Sequence, residues 1–193
     1  MTRGSLDIRA IPVSETELCA RLGPLSERWA EELEFCREGV LSSAVGRYAA
    51  MRVPVTDNDG VSVTLGGHRI DSSALARSLR CADSALLLAV TLGAEVDRYL
   101  LRLSKLSVAR CAIADGYASA LAEALIDEAE RRLSDGLDTT HRFSPGYGDL
   151  PLAEQSWLLG VLDAARSVGI SLGEGLLMTP MKSISAIIGV KRK

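Results

Sequence analysis

Apolar and polar residues alternate in some stretches of this chain and recur at helical spacing in others, and the switches between the two patterns mark the predicted elements. Leu6 to Val13 alternates and predicts a short strand ending at Pro12. Ser14 with Glu17 three residues on has the capping-box pattern, opening a helix through about Leu22 that Gly23-Pro24 breaks. From Ser26 to about Val45, Trp29, Leu33, Cys36, Val40 and Leu41 recur at helical spacing, with Glu31, Glu32, Glu34 and Arg37 between them. Ala49–Thr56 and Val61–Leu65 predict strands joined through Asp57-Asn58-Asp59-Gly60, residues that tolerate the positive φ of a hairpin turn. Gly66-Gly67 ends the second strand, and Asp71-Ser72-Ser73 starts a short helix through Arg80.

Ser84 to Thr91 (SALLLAVT) is a continuous apolar run between polar residues and predicts a strand buried on both faces. Helices follow from Ala94 to about Ser104 and from about Val108 to Leu133. In the second, Ile113, Tyr117, Leu121, Leu125 and Ala129 form the apolar stripe, while Glu123, Asp127, Glu130 and Arg131 take the wetter side. Ser134-Asp135-Gly136 stops it. A helix from Leu152 to Val168 ends at Gly169, and Gly175–Pro180 with Ser183–Val190 predicts a terminal pair of strands. Helices and strands are mixed without a regular βαβ alternation, and neither a linker nor a repeat divides the chain. The expected fold is a single α+β domain, with a mixed or antiparallel sheet and several helices including the long one at about 108–133. Residues 1–70 supply its N-terminal helices and hairpin, and residues 71–193 its core.

The chain has 193 residues, 47% of them hydrophobic and 24% charged, enough to bury a sizeable core. With 22 basic against 25 acidic residues the net charge is -3, whereas a protein held to nucleic acid by phosphate contacts carries a basic excess. No apolar run reaches the roughly 20 residues of a membrane helix, and the first residues lack the apolar core of a secretion signal. A soluble cytoplasmic protein is expected. Cys19, Cys36, Cys81 and Cys111 form no C-x-x-C pair and read as small buried hydrophobes in a reducing compartment. His68 and His141 are the only histidines, so no metal site is expected; His68, beside Gly66-Gly67, reads as an exposed turn residue. Phosphate-binding motifs of the types GxxxxGK[ST] and GxGxxG are absent.

The segment Arg142 to Asp149 carries the candidate chemistry. Pro145 fixes φ and Gly146 permits close backbone approach, so the loop can form a rigid cradle. Arg142 offers a planar cation suited to a carboxylate, Tyr147 an aromatic face, and Asp149 a carboxylate. The alternative is a Pro/Gly turn whose Arg142 and Asp149 pair with each other.

The run RFSPGYGDLP at 142–151 resembles the R-x-x-P-G-Y motif of the activation (reactivation) domain of cobalamin-dependent methionine synthase, in its short free-standing form. LLMTPMKSISAIIG at 176–189 is similar to that family's later M-x-P segment followed by S-x-S. LAVTLGAEVDR at 88–98 and SALARSLR at 73–80 resemble the strand and helices of the short members. The likeness runs from about Ser72 to Gly189. It implies an S-adenosylmethionine (AdoMet)-binding activation core at 71–193, serving methionine biosynthesis through vitamin B12. Arg142 would hold the ligand carboxylate, the backbone at Ser144 and Gly146 would contact the ligand, and Tyr147 would lie between AdoMet and the corrin as the catalytic contact. Asp115 and Glu123 fall on plausible equivalents of the acidic residues on the family's long helix, the alternative being a solvated helix face. Cobalamin would be held by a partner, since no D-x-H-x-x-G motif is present. That partner would be a corrinoid-binding protein or a methionine synthase lacking its own activation domain, with a flavodoxin-like or other electron donor. The family's large enzymes have Trp where this chain has Thr179, and aromatics where it has Ile187-Ile188, which implies a different corrin-facing surface. The function expected is reactivation of a corrinoid cofactor by reductive methylation from AdoMet. The alternatives are a non-catalytic module that binds AdoMet or a corrinoid, and an interaction protein that kept the fold alone.

Overall fold

The apolar run Ser84–Thr91 is the middle of an antiparallel sheet, hydrogen-bonded along both edges and covered on both faces, which is why all 8 of its residues are buried. The structure is a computed structural model that describes residues 1–23 and 29–191. In chain order its elements are β1 (Thr2–Leu6), a 3-10 turn at Ile8–Ala10, α1 (Glu15–Leu22), α2 (Ala30–Ser43), β2 (Gly46–Asn58), β3 (Ser62–Leu65), β4 (His68–Asp71) and α3 (Ser73–Ser78). They continue with β5 (Ser84–Thr91), α4 (Ala94–Leu106), α5 (Val108–Leu133), β6 (Asp138–Thr139), α6 (Glu154–Val161), α7 (Ala164–Ser167), β7 (Ser171–Leu172), β8 (Met178–Thr179) and β9 (Ser183–Lys191). The 7-stranded sheet has the order β4-β3-β2-β5-β9-β6, with β1 paired to β2, while β7 and β8 pair with each other.

The alternation of β5 divides the core in two. Leu86, Leu88 and Val90 pack with α1, α2, α4 and α5 on one face; Ala85, Leu87 and Ala89 pack with α3, α6 and α7 on the other. Across the strand pair, Ala186, Ile188 and Val190 of β9 join the first core and Ile187 joins the second. Each fully buried leucine or isoleucine contributes about 1.5–3 kcal/mol. On α5 the predicted stripe is buried at Tyr117, Leu121, Leu125 and Ala129, and Ser107 caps the helix by accepting from the Arg110 amide at 3.3 Å. Among the described residues no helix is long and apolar enough to cross a membrane.

Several expectations are corrected. The first strand is Thr2–Leu6, where Thr2 pairs with Ala50 and Leu6 with Gly46; beyond it Asp7 accepts from the Arg9 amide at 3.1 Å and starts the 3-10 turn. Ser14 precedes α1, but its hydroxyl makes no cap bond, and Glu17 accepts from Arg21 at 2.8 Å, so the capping box does not close. Pro24 and the predicted helix start at Ser26 lie outside the described residues, and α2 is described from Ala30. Gly66 and Gly67, at φ +57° and +88°, turn the chain into β4, an unpredicted strand. The helix expected over 152–168 is broken at Asp163, whose φ of 42° is left-handed. The terminal strands do not pair with each other: β8 pairs with β7, and β9 lies between β5 and β6. Cys36 is buried, but Cys19 and Cys81 are exposed. His68 is no exposed turn residue; its ring stacks on Trp157 at 4.5 Å and its Nε2 lies 2.7 Å from Glu154 Oε2.

Candidate ligand-binding site

After β6 the chain stays along the edge of β9. The Thr140 amide donates to the Gly189 carbonyl at 2.9 Å, and Phe143 and Ile187 exchange amide–carbonyl bonds at 2.9 and 2.8 Å. This close approach requires Gly189, since a Cβ there would lie 2.7 Å from Thr140 Cγ2 and 2.8 Å from Leu79 Cδ2. The backbone then reverses through Ser144-Pro145-Gly146-Tyr147, with the Tyr147 amide donating to the Ser144 carbonyl at 3.1 Å. A glycine of φ +89° third is what a type II turn requires, and proline second is common in one. Pro145 and Leu150 are buried beneath the turn, and Tyr147 at its tip is 73% exposed.

Arg142 and Asp149 point to different elements, so the pairing that the sequence left open is not formed. The Arg142 guanidinium reaches α5, donating to Asp127 and, at 3.2 Å, to Glu130, with Glu123 3.7 Å away. Burial opposes its charge, but the Asp127 hydrogen bond and the charges of Asp127, Glu130 and Glu123 outweigh that and hold its pKa above the ordinary value. At about 100° per residue, Glu123, Asp127 and Glu130 lie within a stripe of about 60° on the helix. Asp149 accepts instead from Ser72 Oγ at 2.5 Å, Ser73 Oγ at 2.6 Å, and the amides of Ser73 at 2.9 Å and Ala74 at 3.1 Å. The Ser72 and Ser73 hydroxyls, with those amides, hold its carboxyl far below the usual carboxylate range.

Between the loop and α5 lies a cleft of about 950 Å³, walled by Glu123, Asp127 and Glu130 on one side and Thr140, His141, Arg142, Ser144 and Tyr147 on the other; Ser78, Thr139, Ile184 and Lys191 complete it. An adjoining hollow of about 660 Å³ shares Glu123, Asp127 and Arg142 and extends to the residues that start α1. Of the residues expected from sequence, Arg142, Ser144, Tyr147 and Glu123 line the cleft, and Gly146 shapes the turn behind them. Asp115 does not reach it. Its carboxylate lies 2.7 Å from Lys182 Nζ, because eight residues from Glu123 amount to about 12 Å along the helix and about 80° around it. Asp127 and Glu130 are the closest partners of Arg142, although the sequence pattern puts them on the wetter side of α5; their spacing from Glu123, four and seven residues, is the available signal.

The serines of the S-x-S segment are buried and face away from the cleft. Ser183 Oγ donates to the Pro180 carbonyl at 2.7 Å and lies 2.8 Å from the Thr91 hydroxyl, and Ser185 Oγ lies 3.5 Å from Gln155 Oε1. Ile187 and Ile188 are wholly buried on opposite faces of β9, so neither forms part of an outer surface; Thr179 is exposed.

No family model matches the chain, and no curated protein matches it in sequence. Among solved structures, the MetH reactivation domain bound to AdoHcy matches with a TM-score of 0.70 over 97% of this chain and 77% of that one, at 15% identity. The α+β architecture described above, antiparallel sheet and packed helices together, is therefore the fold of the MetH reactivation domain.

Proposed function

We propose that this chain binds AdoMet in the cleft beside Arg142 and supports reductive methylation of a cobalamin cofactor held by a separate protein, a methionine synthase lacking its own activation domain or another corrinoid methyltransferase. The carrying observation is the facing of one half-buried guanidinium and three carboxylates across a cleft of about 950 Å³. That arrangement suits the amino-acid end of AdoMet, whose carboxylate would go to Arg142 and whose ammonium would go to Glu123, Asp127 or Glu130. A guanidinium has five N–H donors, so Arg142 can take the ligand without releasing every helix carboxylate. The acidic excess also suits a sulfonium. The turn at Ser144–Gly146 offers backbone groups to the rest of the ligand, and Tyr147 stands exposed at the mouth, where a corrin would approach. The fold neighbour was solved with AdoHcy, the demethylated form of that ligand.

When bound, AdoMet supplies an electrophilic methyl group to the reduced corrinoid of the partner. This chain's residues then position two reactants, and no general base is required. A flavodoxin-like or other donor would supply the electron, and the setting would be methionine biosynthesis in the cytoplasm. Calorimetric titration of AdoMet into the protein and its Arg142→Ala variant tests the site: binding lost in the variant is expected, and no binding to the unmodified protein defeats the reading. Formation of methylcorrinoid, with partner and reductant supplied, tests the activity. The exposed Thr179, in a slot where the resembled enzymes have Trp, favours the second reading of a module that binds without turnover; methylcorrinoid formation removes it.

A further inference from the structure

The tip of the loop at 142–151 is nearly bare. Gly146, Tyr147, Gly148 and Asp149 are all exposed, and two of them are glycines at positive φ, +89° and +57°. Apolar burial at Pro145 and Leu150 fixes the base of the turn and leaves Tyr147 itself out of the core. What holds the tip is polar. The Asp149 carboxylate collects the hydroxyls of Ser72 and Ser73 and the amides of Ser73 and Ala74, so it satisfies the start of α3 from outside that helix. Gly148 lies against the same place, since a Cβ on it would be 3.5 Å from Ala74 Cβ. A second fastening follows within a few residues: Glu154 accepts from His68 at 2.7 Å, with the His68 ring stacked on Trp157. Both fastenings end on the segment from His68 to Ala74. The far end of α3 supplies Ser78 to the cleft wall, so this one segment carries the loop and borders the cleft.

We infer that Asp149 is a positioning residue: it fastens the Ser144–Tyr147 turn to the start of α3 and thereby sets where Tyr147 stands over the cleft. It touches no ligand; its effect passes through Ser72 and Ser73. The inference rests on the proposed binding reading for its consequence in affinity, though the fastening itself can be measured without ligand.

The test uses Asp149→Ala, the milder Asp149→Asn, and the double variant Ser72→Ala/Ser73→Ala, which keeps the carboxylate and removes its hydroxyl donors. Amide exchange is read first. Asp149→Ala is expected to speed exchange at Gly146 and Leu150, which bond within the loop, about tenfold, and to leave Ile187 of β9 unchanged. If Asp149→Ala does not fold, the same comparison is made on Asp149→Asn. Unchanged loop exchange overturns the inference whatever the protein binds. AdoMet affinity is read second. It is expected to fall about tenfold in Asp149→Ala and in the serine variant, with no further fall when the two are combined. Additive losses would mean that the carboxylate acts on the ligand directly, and would overturn it. Absence of AdoMet binding to the unmodified protein would sink the binding reading and leave the exchange result to decide this one.

Discussion

Lys182 Nζ lies 2.7 Å from Asp115 Oδ1 and donates to Ser119 Oγ at 2.9 Å, so the turn entering β9 is tied to the middle of α5 at a point well away from Arg142. The Lys182 side chain is only 12% exposed. Removing its carboxylate leaves a nearly buried ammonium short of a partner, at a cost of about 1–3 kcal/mol. Asp115→Ala is expected to lower the melting temperature and leave AdoMet affinity unchanged, whereas Glu123→Gln weakens binding with little effect on melting. Thermal unfolding and calorimetry on the two variants check this pair; lost affinity in Asp115→Ala would return that residue to the site.

Arg142→Ala leaves Glu123, Asp127 and Glu130 facing one another without their shared cation. AdoMet affinity is expected to fall by about 1.5–3 kcal/mol, the worth of a charge-assisted hydrogen bond. Arg142→Lys keeps the charge without the planar fork and recovers part of it. The repulsion among the carboxylates also lowers stability, and added salt should relieve that loss by screening. Titration at fixed salt and melting across a salt series measure the two effects separately.

Glycine is required in the loop and on the strand beside it for two different reasons. Gly146 sits at φ +89°, where an alanine strains the backbone by about 1 kcal/mol or more, although its methyl would meet Leu152 Cδ1 at an ordinary 3.4 Å. At Gly189 the conformation is permissive but the space is not, and an alanine would push Thr140 and Leu79 apart at a cost of about 1–3 kcal/mol. Denaturant unfolding should show both losses, and only Gly189→Ala should loosen the bonding of Thr140 to β9.

Acid should weaken the protein through its best-bonded carboxylates. The amides of Ser62 and Val61 and the Ser62 hydroxyl hold Asp59 at about 2, against an ordinary 3.8. Asp149 is lowered too, chiefly by the hydroxyls of Ser72 and Ser73. A carboxyl whose folded value is depressed stabilises fully above its unfolded value, and that contribution is lost as pH falls through the folded one. Melting temperature is expected to decline below about pH 4, and Asp59→Asn to remove part of that decline. Melting curves taken from neutral pH down to about 2 on both proteins decide it; identical slopes would count against it.

Elements governed by local chemistry were legible in the chain. Ser84–Thr91 and Val108–Leu133 fall where the apolar run and the caps put them, because burial on two faces and a long stripe leave little choice. The R-x-x-P-G-Y loop was legible as a rigid turn from its proline and glycine. Pairing partners were not: β8 and β9 both read as strands, but nothing within them says that one joins β7 and the other divides β5 from β6. Strand β4 was missed because only Ile70 of its four residues is buried. In the site, Arg142 and Glu123 were named, but Asp127 and Glu130 were not, because facing a loop arginine depends on how the loop returns to α5. Asp149 was read as a possible partner of Arg142, and its attachment to Ser72, across 77 positions of sequence, exists only in the fold.

The place of β9 has a consequence for how the polypeptide is made. Ribosomes deliver residues in order, so β9 emerges after every other described element, yet it belongs beside β5, where Ser183 meets Thr91 across 92 positions of sequence. Until it arrives, β5 presents an unpaired apolar edge, the kind of surface on which unfinished chains adhere to one another. Slowing translation just before residue 183 should therefore raise the aggregated fraction without altering any contact in the finished molecule.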